Sequence, residues 1–123
     1  MQNPQGILNA VRKNFIYTPD AEQFQVRDDW RHYADDINSV WRDDCDSFAA
    51  TCLEIASKEG YFRNKLMMAL CWTETGEYHA VAIIDGMLLD NRNRTAWAYD
   101  SVGYKFHRGM LLSEGGVWRD MEN

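Results

Sequence analysis

Cys45, His79 and Asp90 have the side chains that nucleophilic catalysis through a thiol requires. A cysteine attacks a carbonyl as its thiolate, and a free thiol with a pKa of ~8.5 is mostly protonated at neutral pH. A helix N-terminus and a neighbouring imidazolium both favour the anion. A carboxylate beside the imidazole would hold its tautomer and orientation. These residues are therefore candidates for a nucleophile, a base and the group that orients the base.

A helix is predicted to begin near Asp44, end before Gly60 and carry Cys45 in its first turn. Asp43 or Asp44 can cap its start, and Gly60 suits its end. Its apolar residues recur at three- and four-residue steps, which gives one apolar face. The residues of that face are Cys45, Phe48, Ala49, Cys52, Leu53 and Ala56.

Asp85-Gly86 is a strong signal for a two-residue hairpin turn. The turn joins two predicted strands, over residues 78–84 and 87–90. In the resulting register Val81 faces Asp90, and His79 shares the face of Val81 because side chains alternate along a strand. Asp90 is then a diagonal neighbour of His79, whereas a one-residue slip would turn Asp90 to the other face.

Helices come first in the chain and strands follow, a pattern that predicts an α+β fold with an antiparallel sheet. No linker or internal repeat divides the sequence, so residues 1–123 are expected to form a single domain. The other predicted helices are Ile7–Phe15 and a less regular one over Asp28–Trp41. The other predicted strands are Leu66–Trp72, Thr95–Tyr99 and Val102–Phe106.

The composition limits the kinds of partner. Lys and Arg number 13 against 19 Asp and Glu, a formal net charge of −6, so a nucleic acid is not expected as a partner and a basic peptide segment suits better. The longest apolar run, Leu66–Trp72, is too short to span a bilayer, so no membrane partner is expected. The oligomeric state stays open.

The cysteines and the N-terminal residues bear on the compartment. Three cysteines without a CxxC pair indicate free thiols in a reducing compartment. The first 15 residues lack the apolar segment of a secretory signal. The expected location is the cytoplasm, which for a phage-encoded chain is the cytoplasm of the host.

Three short segments carry a resemblance to a known family. Asp43–Ala49 resembles the Gly-Asp-Cys-(Glu/Asp)-Asp-Phe-Ala signature of the bacterial transglutaminase-like cysteine proteinase family. Tyr78–Val81 resembles that family's His-Ala-Val strand, and Leu88–Asn91 its Leu-Asp-Asn strand. Further residues fall in the family's order upstream, namely Asn14, Tyr17, Asp20 and the Asp29-Trp30 pair. The chain departs from the signature at Asp43, where glycine is usual, and at Ser47, where an acidic residue is usual.

The resemblance implies a papain-like, transglutaminase-type core, in which the nucleophile-bearing helix packs on an antiparallel sheet. It implies Cys45 as nucleophile, His79 as base and Asp90 as orienter, and hydrolysis of peptide bonds in a protein or peptide substrate through a thioester. The best-known relatives are calcium-dependent periplasmic proteases that cut a surface adhesin. Their calcium ligands include acidic residues that correspond here to Asp44 and Asp46; no other cofactor is implied.

Each assignment has an alternative that the sequence leaves open. Asp44 and Asp46 also suit capping of the helix start. The machinery that passes an acyl group to water can pass it to an amine, as in transglutaminases, and a binding or assembly module can retain the fold without the reaction. The Cys45 N–H and the Trp30 indole are candidate oxyanion donors.

Residues without an assigned role are expected to serve packing. Cys52 and Cys71 are predicted to be core thiols. Four tryptophans are expected in the core or the wall of a cleft, namely Trp41, Trp72, Trp97 and Trp118. Surface or packing positions are expected for His32 and His107.

Overall fold

The computed structural model describes residues 2–17, 41–43 and 45–121. Its helices are α1 (Pro4–Arg12) and α2 (Cys45–Glu59). The strands are β1 (Phe15–Tyr17), β2 (Trp41–Asp43), β3 (Leu66–Trp72), β4 (Tyr78–Ile84), β5 (Met87–Leu89), β6 (Trp97–Ala98), β7 (Lys105–Leu111) and β8 (Arg119–Asp120). Single 3-10 turns lie at Arg63–Lys65, Tyr99–Ser101 and Leu112–Glu114.

A six-stranded antiparallel sheet in the order β6-β5-β4-β3-β7-β8 forms the centre of the fold, and β1 and β2 form a separate parallel pair. Both helices pack on one face of the sheet, which confirms the predicted α+β class and the helix-on-sheet packing. A second buried cluster covers the opposite face. Its members are Ala69, Cys71, Val81, Ile83, Leu88, Tyr104 and Phe106.

Helix α2 agrees with the prediction, and its apolar stripe is buried against the sheet. It packs on the alternate β4 residues Ala80, Ala82 and Ile84, which belong to the same buried cluster. The small alanine side chains let the helix lie close to the strand. A helix of 15 residues is about 22 Å long. That length matches a strand of seven residues, which spans about 23 Å.

Helix α1 lies earlier in the chain than the predicted Ile7–Phe15. Asn3 caps its start by accepting a hydrogen bond from the Gly6 N–H at 2.8 Å, and Pro4 occupies the first turn, where its missing N–H is harmless. The helix ends at Arg12 because Phe15 is paired with Trp41 in the parallel ladder. The predicted helix Asp28–Trp41 lies outside the described residues except for Trp41, which belongs to β2.

Two strand predictions were wrong in extent. Strand β6 is confined to Trp97–Ala98 because the chain turns immediately afterwards through a 3-10 turn. Strand β7 begins at Lys105, since Gly103 has a φ of 79° and breaks the extended backbone. It then runs on to Leu111 because its long neighbour β3 offers partners as far as Met67.

The predicted hairpin register is confirmed. Ile84 pairs with Met87 and Ala82 with Leu89. Asp85 and Gly86 have φ values of 51° and 82°, as a type I′ turn requires at both central positions. The turn therefore sets which β4 and β5 side chains share a face.

Candidate active site

Cys45 is the first residue of α2 and is half-buried against the core on the helix side of the sheet. Its thiol is free of disulfide bonding, and its Sγ lies 3.6 Å from Oδ1 of Asp46 in the same helical turn. The position gives the sulfur the partial positive charge of a helix N-terminus. Structure and prediction agree on this placement.

The contacts of α2 establish which end of the sheet Cys45 approaches. Beyond the helix C-terminus, the Lys65 carbonyl accepts a hydrogen bond of 2.8 Å from Asp85 N–H in the hairpin turn. The helix C-terminus therefore lies by the turn. Because α2 and β4 are similar in length, the Cys45 end lies toward the open end of the hairpin. His79 and Asp90 lie at that open end, near the start of β4 and just after β5. The His79 side chain shares the sheet face of Val81 and Tyr104, opposite the face that α2 covers.

His79 and Asp90 are in contact. His79 Nε2 lies 3.4 Å from Asp90 Oδ2, and the side chains are 8% and 0% exposed. The separation is long for a hydrogen bond, and Nε2 has no hydrogen-bond partner among the described residues. The attraction is therefore chiefly between charges, when the imidazole is protonated.

The Asp90 carboxylate is surrounded by hydrogen-bond donors. Oδ1 accepts from the backbone N–H of Arg92 at 3.1 Å and of Asn93 at 2.9 Å, and from Asn93 Nδ2 at 3.1 Å. Oδ2 accepts from the Tyr104 hydroxyl at 2.8 Å. Burial alone would raise the pKa of Asp90, but the approach of the His79 ring and the Tyr104 hydrogen bond outweigh burial and lower it. The carboxylate is therefore ionised in the folded protein.

Tyr104, Asn93, Arg92 and Glu74 belong to this site, although sequence reasoning missed them. Asn93 had a usable signal, because an aspartate often bonds the N–H groups two and three residues ahead in a turn. Tyr104 had none, since it follows Asp90 by 14 residues across two intervening turns. Beside them is a cleft of about 400 Å³. It is lined by Glu74, Arg92, Asn93, Trp97, Ser101, Val102 and Tyr104.

Several predicted site residues cannot be placed. Asp44, Trp30 and His32 lie outside the described residues, as does the Asp29 that accompanies Trp30 in the family resemblance. Asp46 is described, in the first turn of α2. In the part of the chain that the structure describes, no three His, Cys, Asp or Glu side chains are grouped closely enough to hold a metal ion.

The packing predictions are confirmed for the thiols and partly wrong for the tryptophans. Cys52 and Cys71 are fully buried. Trp97 is 52% exposed and lines the cleft, as predicted for a cleft wall. Trp72 is 36% exposed at the end of β3, where it packs on the Tyr78 and His107 rings rather than in the core. Trp118 is partly buried against the core. His107 is a packing residue whose Nδ1 lies 2.7 Å from the Tyr78 hydroxyl and whose ring lies 5.0 Å from that of Trp72.

Fold and site together define a transglutaminase-like α+β domain with a cysteine thiol outside any disulfide at a helix start and a buried histidine–aspartate pair. The chain belongs to the bacterial transglutaminase-like cysteine proteinase family BTLCP, whose family model matches residues 1–123. The resemblance in the sequence is thus confirmed. No curated protein matches the sequence significantly.

Solved structures of Legionella pneumophila LapG have the same fold. The calcium-bound form is 14% identical with a TM-score of 0.75, over 97% of this chain and 70% of LapG. The EGTA-treated form is 15% identical with a TM-score of 0.69, over 95% and 69%. A third LapG structure, 15% identical with a TM-score of 0.68, is matched by 87% of this chain. The chain spans 62% of the length of that LapG chain.

Proposed function

We propose that this protein is a cysteine peptidase or amide hydrolase in which Cys45 is the nucleophile, His79 the general base and acid, and Asp90 the group that orients His79. The observation that carries the proposal is the buried contact of 3.4 Å between His79 and Asp90. The Asp90 carboxylate also accepts hydrogen bonds from Arg92 N–H, Asn93 N–H and the Tyr104 hydroxyl. Helix α2 directs its N-terminal cysteine toward the same end of the sheet. Membership of a cysteine proteinase family supports the assignment.

The reaction follows from these groups. The Cys45 thiolate attacks the substrate carbonyl carbon, and the Cys45 backbone N–H is the first candidate donor to the oxyanion. When the C–N bond breaks, protonated His79 gives its proton to the leaving amine, and a thioester remains. Water then attacks the thioester carbonyl while His79 takes a proton from it. The C–S bond breaks, the carboxylic acid leaves, and the thiolate returns.

The orientation of His79 supports these roles. Nε2 is directed at Asp90, so the proposal assigns proton exchange with the thiol to the other ring nitrogen, Nδ1. An ionised Asp90 favours the imidazolium, and an imidazolium near the sulfur favours the thiolate. We infer a protein or peptide substrate with basic residues, since the chain has a net charge of −6. The cytoplasm remains the proposed location.

The test is selective alkylation of the three cysteines at pH 6 with limiting iodoacetamide, read by peptide mass. Cys45 is expected to take nearly all of the label. Burial, reinforced by the charge of Asp90, raises the pKa of Cys71 to about 12 and raises that of Cys52 as well. Both are therefore internal controls that stay protonated and covered. Equal labelling of the three residues, or none, would favour a non-catalytic binding module.

Calcium is a separate question, because the described residues do not by themselves form a calcium site. Calcium takes six to eight oxygen ligands, and Asp46 is the described member of the pair that the family resemblance implies. No step of the reaction is therefore assigned to a metal. The calcium-bound and EGTA-treated structures of LapG make calcium the ion to test.

The calcium hypothesis for Asp44 and Asp46 predicts a higher midpoint of thermal unfolding in calcium than in EGTA. A ligand that binds only the folded chain stabilises it by about 2.7 kcal/mol at a concentration of ~100 Kd. The double variant Asp44→Asn, Asp46→Asn should lose this rise while keeping helix capping, since asparagine caps as well as aspartate. Asp100→Asn, at an exposed position, is the control. The same midpoint in calcium and in EGTA removes the hypothesis.

A further inference from the structure

Tyr104 connects the Asp90 carboxylate to the cleft behind it. The residue is 8% exposed and immediately precedes β7. Its hydroxyl donates to Asp90 Oδ2 at 2.8 Å, the same oxygen that faces His79 Nε2. Its ring lies edge-on to the His79 ring, with centroids 6.2 Å apart and an interplanar angle of 87°. Tyr104 thus contacts both partners of the buried pair.

The hydroxyl proton of Tyr104 has one direction available to it. A hydroxyl has one donor and two acceptor positions. Both acceptor positions are met by N–H donors, Arg92 Nη1 at 3.0 Å and Asn93 Nδ2 at 3.2 Å. The proton must therefore point to Asp90. The hydroxyl thus donates to the Asp90 carboxylate and favours its ionised form.

Arg92 is itself held in place. Its guanidinium bonds Glu74 on the β3–β4 turn, with Nη1 at 3.0 Å from Oε1, and lies 5.7 Å from the centre of the Tyr104 ring. The hydrogen bond from Arg92 lowers the pKa of Glu74 to about 2, so the pair stays charged at neutral pH. The loop after β5 thus supplies both donors to the Tyr104 hydroxyl, and Glu74 on the β3–β4 turn holds one of them in place.

We propose that Tyr104 is a positioning residue: its hydroxyl holds the Asp90 carboxylate ionised and aimed at His79, with Arg92 and Asn93 directing the hydroxyl. The inference rests on the proposed function, since its purpose is to keep His79 oriented. Tyr104 touches no reacting atom and acts only through Asp90.

The groups that face Asp90 determine how its titration responds. His79 from β4 favours its charged form, as do the Tyr104 hydroxyl and the Asn93 N–H from the following loop. The thiols of Cys71 on β3 and Cys52 on α2 are close enough to feel the Asp90 charge but remain protonated. Removing the Tyr104 hydroxyl therefore removes one stabilising donor and changes none of the other charges.

The test is Tyr104→Phe, which keeps the ring and removes the hydroxyl. The pKa of Asp90, followed by the 13C shift of its carboxyl carbon, should rise by about one unit or more, the effect expected of a hydrogen bond to a charged group. Asp90 stays ionised at pH 6, so the effect on Cys45 comes through a less well oriented His79. Alkylation of Cys45 at pH 6 should slow by about tenfold, the factor for a one-unit rise in the pKa of the thiol. Tyr99→Phe, whose ring packs on Phe106 in the same cluster, should change neither quantity.

The outcomes separate this inference from the proposed function. An unchanged Asp90 titration in Tyr104→Phe overturns the positioning role, even where wild-type Cys45 is selectively reactive. Uniform or absent labelling of wild-type cysteines overturns the proposed function, and the carboxyl titration still reports on Tyr104. Should Tyr104→Phe not fold, Arg92→Gln frees one acceptor position of the hydroxyl. The pKa of Asp90 should rise in this variant too, but by less than in Tyr104→Phe. An unchanged pKa of Asp90 would overturn the inference.

Discussion

Replacing His79 with alanine is expected to slow alkylation of Cys45 at pH 6 by on the order of 100-fold. Without an imidazolium the thiol returns toward a pKa of ~8.5, at which roughly 0.3% is thiolate at this pH. The proposed pairing with His79 predicts that most of the sulfur is anionic at pH 6. Rates of iodoacetamide addition, measured by peptide mass for Cys45 alone, give the ratio directly. Amide hydrolysis should fall by at least ~1,000-fold, because removing one triad member disables the unit.

His107→Ala is the matched control for this loss. His107 is a second histidine of the same sheet, on β7, with the Tyr78 hydroxyl and the Trp72 ring as its partners. Its removal is expected to leave the alkylation rate of Cys45 unchanged. If His79→Ala and wild type react equally fast at pH 6, the imidazole does not activate the thiol and the proposed chemistry is wrong.

Asp90→Ala is expected to destabilise the fold by about 3–5 kcal/mol, as removal of one partner from a buried charged network does. The substitution leaves the Tyr104 hydroxyl and the Asn93 amide without their acceptor and His79 without its counter-charge. Asp90→Asn should cost nearly as much, because its NH2 group would face donors. The measurement is the free energy of unfolding in urea at pH 7.

The cost of losing Asp90 should depend on pH in a defined direction. Its pKa is lowered in the folded chain from an unfolded value of ~3.9. The stabilisation from ionised Asp90 is therefore fully present above the pKa of Asp90 in the unfolded chain. It is lost as pH falls through the lower pKa of Asp90 in the folded chain. The gap between wild type and Asp90→Asn should narrow below about pH 4.

Asp120→Asn provides the comparison at an exposed carboxylate. Asp120 is 88% exposed and lies 3.6 Å from Arg108 on the neighbouring strand. Its loss should cost about 0–1 kcal/mol, the usual value for a surface ion pair. A loss as small for Asp90→Ala would contradict the view that buried donors depend on its carboxylate.

Local patterns in the sequence were enough to predict the elements that carry the candidate site. Apolar residues at helical spacing predicted α2 and put Cys45 at its start. Asp85-Gly86 predicted a hairpin whose register, once counted, put His79 and Asp90 on one face. These inferences succeed because helix period, turn type and side-chain alternation depend on residues close together in the chain. The short segments around Cys45, His79 and Asp90 also indicated the family to which the chain belongs.

The sequence alone determined the helix that starts at Cys45 and the hairpin that carries His79 and Asp90. The tertiary structure alone decided which distant residues join the local Asn93 and Arg92 donors around the carboxylate. Tyr104 and Glu74 reach Asp90 and Arg92 from loops that meet only because β7 lies beside β3 and β3 beside β4. Neighbours of this kind depend on the strand order of the whole sheet, which short-range patterns do not specify. The Tyr104 donor to Asp90, and the Glu74 partner of Arg92, are therefore properties of the fold.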